Sequence, residues 1–274
     1  MNPSPIDSTM KPFDPITQGG SFCSVVMHST FRISSIPGPV ERVHGTGFVL
    51  SRPSKTNPGT RSTILVTANH VFEQLPGPSA RLLLRRGDDS AGWKQSELEF
   101  TIRHGEQETW TRNEICDLAA TAIQIPSDCI PTVLTTDILL SEEAPLRVGF
   151  NPGDRIFCAG FPLGFGSACG FPFLRTGTVA SYPVLPIVRH PIFQISCEIY
   201  PGNSGGPVFI APSIEATGAS GASGRVTCGI VGMVLRAQVK QEIAPEGMIN
   251  HFFGIGNVIH AAVIKEFLET VPEL

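Results

Sequence analysis

A serine surrounded by turn-forming residues is the first side chain in this sequence that could act as a nucleophile. Ser204 lies in the stretch EIYPGNSGGPVF (198–209), where glycine, proline and asparagine precede the apolar Val208 and Phe209. Such a loop can be a simple turn, because Gly, Asn and Ser tolerate the backbone conformations that turns require. The glycines could instead direct backbone N–H groups at a reacting carbonyl while Ser204 supplies the attacking oxygen. This second interpretation requires a base and an acid elsewhere in the chain.

His70 and Asp117 are the candidates for that base and acid. His70 follows an apolar run in ILVTANHVF (64–72), although a histidine satisfied within the core would give the same pattern. Asp117 stands at the start of the apolar run CDLAATAIQI (116–125), where a buried carboxylate needs a partner such as an imidazole N–H. His70 would take the proton of Ser204, and Asp117 would fix the imidazole tautomer and stabilise its cation.

The composition favours a globular protein made of many short strands. The 274 residues are 41% apolar with a mean hydropathy of +0.12, which suffices for a packed core. The 28 glycines and 24 prolines show no repeat period and favour strands and turns over long helices. The net charge is −4 and no dense Lys/Arg tract occurs, so nucleic acid is not an expected partner.

The cysteines and the N-terminus bear on the cellular compartment. The seven cysteines are scattered and lie mostly in apolar runs, a pattern typical of free thiols, and none has the spacing of a zinc site. No metal and no cofactor is therefore expected. The first 20 residues lack the features of a secretory signal, and no stretch reaches the ~18 apolar residues of a membrane span. These observations predict a cytoplasmic protein without a membrane partner, and they leave its oligomeric state open.

Strand-like runs fall into two groups of six and predict an all-β protein. We expect a flexible tail (1–20), a first six-stranded antiparallel β-barrel (21–125), an inter-barrel linker (126–146) and a second such barrel (147–274). The active site would lie between the barrels, and the helical spacing of VIHAAVIKEFLETV predicts a short C-terminal helix. The predicted strands are 21–33, 43–51, 62–72, 79–86, 96–104, 116–125, 154–162, 174–181, 193–200, 206–210, 225–239 and 252–260.

Seven motifs in a fixed order carry a resemblance to a known family. They are GTGFVL, LVTANHV, CDLAATAI, GFPLG, RTGTVAS, PGNSGGPVF and GIGNVIH, and they extend over residues from about 43 to 260. The chain resembles trypsin-like serine peptidases of the chymotrypsin fold, and within them the Deg/HtrA branch, here without the PDZ domain that usually follows. The resemblance implies a serine endopeptidase acting on proteins or peptides, with His70, Asp117 and Ser204 as the catalytic triad. The N–H groups of Gly202 and Ser204 would form the oxyanion hole.

The same resemblance leads to a prediction about the residue before the cut. Glu198 lies six positions before Ser204, where trypsin-like enzymes have the base of the primary specificity pocket. A buried carboxylate there favours Arg or Lys. Alternatively, Glu198 turns to solvent or pairs with Arg236, and the pocket suits small apolar groups. The resemblance also implies a strand that binds substrate backbone and an open pocket wall: Val234, Leu235 and Arg236 for the strand, Gly254 and Gly256 for the wall.

Three other functions stay open at the level of sequence. GNSGG also matches the Gly-x-Ser-x-Gly pattern of esterases with an α/β-hydrolase fold, with His251 or His260 downstream, although the residues after Ser204 resemble a strand. A catalytically restrained or inactive binding module would keep the same fold. A polyprotein-processing protease of the viral type would share both fold and chemistry and differ only in substrate and source.

Overall fold

The computed structural model describes six segments of the chain, residues 21–36, 43–129, 133–142, 150–211, 228–244 and 247–273. The predicted tail (1–20) and parts of the predicted linker (126–146) lie outside them. In the described segments β-strands dominate over short helices. No described helix is long and apolar enough to cross a membrane.

The elements before residue 126 form mainly one sheet. They are α1 (Phe22–His28), β1 (Thr30–Ser35), β2 (Val43–Pro53), β3 (Arg61–Ala68), α2 (Asn69–Glu73), β4 (Ser79–Asp88), β5 (Gly92–Thr101), β6 (Arg103–His104), β7 (Gln107–Glu108), β8 (Thr111–Asn113) and β9 (Leu118–Ala122). Seven of the strands pair in the order β5-β4-β1-β2-β3-β9-β8, and β6 pairs with β7 alone. A closed six-stranded barrel was expected here, but the end strands β5 and β8 do not pair with each other within the described residues.

The elements after residue 126 build a closed barrel. After 3-10 turns at Ser127–Cys129 and Thr136–Ile138 come β10 (Arg155–Gly160), a 3-10 turn at Pro162–Gly164, β11 (Phe173–Val179), β12 (Ile192–Ser196), β13 (Pro207–Ile210), β14 (Gly229–Ala244), β15 (Gly247–His260) and α3 (Ala261–Leu268). The six strands close in the order β10-β11-β12-β15-β14-β13, with antiparallel neighbours. The second six-stranded barrel is thus present, and α3 falls within the segment predicted to be helical.

Two predicted strands are partly helical. The run 21–33 begins as helix α1, which buries Phe22, Val25 and Val26 on one face. The Phe22 ring packs edge-on against the Phe209 ring in the barrel, with the centroids 5.6 Å apart. The run 62–72 is a strand only to Ala68, where α2 begins. In both places the apolar residues are buried as expected, but a helical turn presents them to the core.

A buried arginine joins the sheet to the barrel. Arg85 on β4 is fully buried, and its guanidinium donates to the carbonyl oxygens of His28 at 2.8 Å, Thr30 at 2.9 Å and Gly170 at 3.0 Å. Its charge lies over the Phe171 ring, 4.7 Å from the centroid. Burial lowers the pKa of Arg85 to about 9. Because Gly170 precedes the barrel strand β11, this one side chain bonds elements of both halves.

Candidate active site

The structure brings the two predicted residues His70 and Asp117 into contact. Strands β3 and β9 are antiparallel neighbours with Ala68 opposite Leu118, so the residues at their ends are close. Nδ1 of His70 lies 2.8 Å from Oδ2 of Asp117. The backbone N–H of His70 donates to Oδ1 at 3.0 Å. The carboxylate therefore holds both the ring and the backbone of the histidine.

The charge of Asp117 is maintained by its surroundings. Burial raises the pKa of this carboxyl, but hydrogen bonds and charge from His70, together with the charge of Arg236, bring it below its ordinary value. The backbone of Asp117 has φ +53°, the left-handed region that Asp and Asn tolerate better than most residues. At neutral pH the side chain is thus a carboxylate and can stabilise an imidazolium.

Asn69 supports the same histidine, a role that the sequence did not indicate. This residue is 3% exposed, and its backbone N–H donates to the carbonyl of Asp117 at 3.0 Å. Its side-chain oxygen accepts from Nε1 of Trp110 at 3.0 Å, and its amide donates to Glu73 at 2.8 Å. The first turn of α2, which carries His70, is therefore fixed through both backbone and side chain. Trp110 lies outside any motif, so no sequence pattern connects it with Asn69.

Ser204 lies in a loop that bonds to strands of both halves. Its carbonyl accepts from the N–H of Thr46 on β2 at 2.8 Å, and the next residue, Gly205, donates to the carbonyl of Val234 on β14 at 2.8 Å. A Cβ on Gly45 would meet both the Ser204 carbonyl oxygen at 2.9 Å and the Val71 side chain at 2.6 Å. The serine loop and the start of α2 thus pack against the same point of β2. No hydrogen bond joins the described side chains of Ser204 and His70.

The residues before Ser204 form a type II turn. Asn203 N–H donates to the Tyr200 carbonyl at 3.0 Å, Pro201 is the second residue and Gly202 has φ +95°. Proline in second place and a positive φ in third place define this turn type. A Cβ on Gly202 would lie 2.3 Å from a backbone oxygen, so glycine is required there on two grounds.

Two backbone N–H groups at this turn have no acceptor among the described residues. Among the bonds formed within the described part of the chain, neither Gly202 N–H nor Ser204 N–H donates to an acceptor. The Thr46 side chain holds the turn from the other half of the molecule, since it donates to the Gly202 carbonyl at 2.6 Å and accepts from the Phe161 N–H at 3.1 Å. Thr46 lies within the motif GTGFVL, and that motif is its only signal in the sequence.

Glu198 does not provide the buried carboxylate that was expected at the base of the specificity pocket. Its side chain is 72% exposed and pairs with Arg175 on β11 at 2.8 Å, not with Arg236. Ile199 turns inward instead and is 2% exposed. A Cβ on Gly256 would lie 2.7 Å from Ile199, so isoleucine occupies the space that was expected to be open beside this glycine.

The other predicted substrate-binding residues lie along β14 and β15. Val234 and Leu235 are 0% and 1% exposed, whereas Arg236 is exposed beyond a bulge in β14. Gly254 has φ +72° and open space where a Cβ would lie. Arg236 is thus the first exposed residue along β14.

The esterase interpretation conflicts with the fold. The chain after Ser204 enters strand β13, whereas a nucleophile elbow leads into a helix. His251 is exposed and pairs with Glu242 at 2.8 Å, and His260 is 2% exposed against the Phe193 ring at 4.6 Å. Among the described residues no cluster of three or more His, Cys, Asp or Glu side chains could hold a metal ion.

The chain was also compared with known proteins. The chain is similar to the Drosophila Grass clip serine protease of the Toll pathway, with a TM-score of 0.51 and 12% identity over 94% of this chain and 72% of that one. It also matches Rv3671c protease from M. tuberculosis H37Rv in an inactive form, with a TM-score of 0.47 and 18% identity over 95% and 97% of the two chains. No curated protein matches the sequence. The family model of the trypsin-like peptidase domain matches residues 45–212, and the chain belongs to that family.

Proposed function

We propose that this protein is a serine endopeptidase that hydrolyses peptide bonds through an acyl-enzyme intermediate. The observation that carries the proposal is the pairing of Nδ1 of His70 with Asp117 at 2.8 Å. An imidazole held in this way has a fixed tautomer and a second ring nitrogen free to act as a base. A histidine–aspartate pair near a serine loop provides the general base that a serine nucleophile needs for acyl transfer.

In the proposed reaction His70 takes the proton of Ser204 as its oxygen attacks the substrate carbonyl. The imidazolium that forms is stabilised by the Asp117 carboxylate, and it returns the proton to the leaving amine. The N–H groups of Gly202 and Ser204 stabilise the oxyanion, at about 3 kcal/mol per donor. Water then repeats the sequence on the acyl-enzyme and releases the acid product. In apo enzymes the contact between serine and base is often long and tightens only with substrate bound.

The proposed substrate cleft lies between the first sheet and the second barrel. Residues 21–125 supply His70 and Asp117, and residues 147–274 supply Ser204. Support comes from the serine loop, which bonds to β2 on one side and β14 on the other. We assign the chain to the Deg/HtrA branch on the seven ordered motifs.

A serine-directed fluorophosphonate tests the proposed function directly. We expect the folded protein to form one covalent adduct, located on Ser204 by peptide mass spectrometry, because only an activated serine reacts. The same protein unfolded in urea is the control and should not react. A folded protein that cleaves no casein and leaves Ser204 unlabelled would favour the inactive binding module instead.

For the residue before the cut, we propose a preference for small apolar side chains over Arg and Lys. Ile199 lies against Gly256, and the only carboxylate once expected there is exposed and paired with Arg175. In a fluorogenic panel that varies this residue alone, Val and Ala should be cleaved at least about tenfold faster than Arg and Lys. Glu198→Ala should leave that ratio unchanged. If cleavage were faster after Arg and Lys, and Glu198→Ala removed that preference, the prediction that Glu198 selects Arg or Lys would hold instead.

A further inference from the structure

The carbonyl groups of residues 201–204, the stretch that ends in Ser204, all accept hydrogen bonds. Their donors and distances are, in chain order, the Leu163 N–H for Pro201 at 2.6 Å, the Thr46 hydroxyl for Gly202 at 2.6 Å, the Gly206 N–H for Asn203 at 2.9 Å and the Thr46 N–H for Ser204 at 2.8 Å. The peptide bonds of this stretch are trans. In a planar trans peptide the N–H points away from the carbonyl of the preceding residue, so a bond that holds a carbonyl also sets the direction of the next N–H.

The two N–H groups proposed for the oxyanion hole are oriented in this way. The Gly202 N–H shares its peptide plane with the Pro201 carbonyl, which the Leu163 N–H holds. The Ser204 N–H is set likewise through the carbonyl before it, by the Gly206 N–H of the same loop. The direction of the Gly202 N–H therefore depends on a contact with Leu163, which lies in a separate 3-10 turn of the chain.

Thr46 on β2 connects that 3-10 turn to the serine loop. Its side-chain hydroxyl donates to the Gly202 carbonyl at 2.6 Å and accepts from the Phe161 N–H at 3.1 Å. Phe161 directly precedes the turn that contains Leu163. The Thr46 N–H holds the Ser204 carbonyl. One residue of the first sheet thus fixes Gly202 at its carbonyl and also fixes the turn that directs its N–H.

The hydroxyl of Thr46 has little freedom to turn away. The residue is 0% exposed, and its carbonyl accepts from the Thr67 hydroxyl at 2.7 Å. A Cβ on Gly205 would lie 2.0 Å from the Thr46 carbonyl oxygen, so the serine loop packs directly against this residue. A β-branched side chain also has few allowed χ1 rotamers. The single hydroxyl proton is therefore committed to the Gly202 carbonyl.

We propose that Thr46 is a positioning residue for the oxyanion hole, whose hydroxyl keeps the Gly202 N–H directed at the carbonyl oxygen of the substrate. The proposal rests on the proposed function. Thr46 touches no reacting atom and acts through Gly202 and the turn before it. Donors stabilise a transition state most when they are already aimed at the charge that develops, and a glycine without this anchor can rotate its peptide planes easily. The contribution of Thr46 thus belongs to the transition state, and its loss lowers kcat with KM preserved.

Thr46→Val tests this role because valine keeps the branched shape and lacks the hydroxyl. We expect kcat to fall roughly tenfold to a hundredfold, which is less than the loss caused by removing a whole oxyanion donor. KM should stay within about a factor of two of the parent. Thr46→Ser retains the hydroxyl and should restore most of kcat. Initial rates on a quenched fluorescent peptide measure both constants.

A peptidyl trifluoromethyl ketone provides a measurement that a purely structural role would not affect. Ser204 adds to the ketone carbon, its proton passes to His70, and the ketone oxygen becomes an oxyanion. In Thr46→Val the inhibition constant should rise by the same factor as kcat/KM falls, because the adduct makes the contacts of the transition state. Fluorescence anisotropy of an uncleaved peptide on Ser204→Ala protein should show the same affinity with and without Thr46→Val, since a ground-state carbonyl carries little charge.

Thr30→Val is the matched control. Thr30 is also 0% exposed, and its hydroxyl donates to the Val26 carbonyl at 2.7 Å, a bond of the same kind that does not involve the serine loop. This variant should lose a comparable amount of stability in urea while it keeps kcat and the affinity for the ketone. If Thr46→Val does not fold, Thr46→Cys takes its place, because a thiol is a much weaker donor than a hydroxyl.

Several outcomes would overturn the role of Thr46 while the peptidase assignment stands. These are a kcat equal to that of the parent, a loss that appears in KM alone, a loss that Thr30→Val reproduces, or unchanged affinity for the ketone. Failure of Thr46→Ser to restore kcat would contradict it as well. A folded parent that neither cleaves the peptide nor reacts with the fluorophosphonate would contradict the proposed function, and this role with it.

Discussion

Ser204→Ala is expected to lower kcat for peptide hydrolysis by a factor on the order of 10⁶. The alanine has no proton to transfer to His70 and no oxygen to form the acyl-enzyme. The backbone bonds of this loop, from Thr46 N–H to the Ser204 carbonyl and from Gly205 N–H to the Val234 carbonyl, do not involve the hydroxyl. The fold and substrate binding should therefore persist. Initial rates on a quenched fluorescent peptide substrate, with active-site titration of the parent, measure the effect.

A second serine provides the control for that experiment. Ser196 ends β12 and is exposed, so Ser196→Ala should cleave at the rate of the parent. Residual activity in Ser204→Ala within a factor of about ten of the parent would exclude Ser204 as the nucleophile, whatever the fold.

Asp117→Asn is expected to lower kcat by about 10⁴ with little change in KM. The amide can present its N–H₂ group to Nδ1 of His70, which reverses the tautomer and leaves the other ring nitrogen protonated and unable to act as a base. Asparagine is the suitable replacement because it tolerates the φ of +53° at this position. The decrease in kcat should therefore reflect the loss of the catalytic base and not a loss of folding stability. Steady-state kinetics at neutral pH and a urea unfolding curve measure the two effects separately.

Asp137→Asn is the matched control, because Asp137 is exposed in a 3-10 turn and should leave both kcat and stability unchanged. The assignment of Asp117 would be contradicted by a kcat within tenfold of the parent. It would also be contradicted by a loss of kcat that runs parallel to unfolding, since that result would make the residue structural alone.

The sequence predicted elements well where the pattern is local and strong. The strands of the second barrel follow apolar runs with clear turn residues between them, and β3 and β9 follow such runs beside His70 and Asp117. The run 21–33 was predicted to be a strand throughout, but it begins as helix α1. Its apolar residues Phe22, Val25 and Val26 suit a strand as well as a helix. Whether the end strands β5 and β8 pair and close the first sheet depends on segments far apart in the chain, and no local pattern predicts it.

The specificity residue shows why counting positions from a motif can fail. Between β12 and the type II turn the side chains alternate, with Cys197 and Ile199 buried and Glu198 exposed. The count from Ser204 gives a position along the chain, but the direction of the side chain there depends on the parity of this alternation. A shift by one position exchanges the exposed carboxylate of Glu198 for the buried side chain of Ile199. Asn69 and Trp110 were missed because a contact between distant residues leaves no periodic signal.

The buried guanidinium of Arg85 affects whether the two halves of the molecule can unfold separately. Its hydrogen bonds reach His28 and Thr30 in the first half and Gly170 in the second. If one half opened alone, this cation would stay enclosed with a donor left unmatched, at a cost of about 1–3 kcal/mol. Partial opening is thereby disfavoured relative to opening of the whole. The sheet and the barrel, although each has strands of its own, are therefore expected to unfold together in a single cooperative transition.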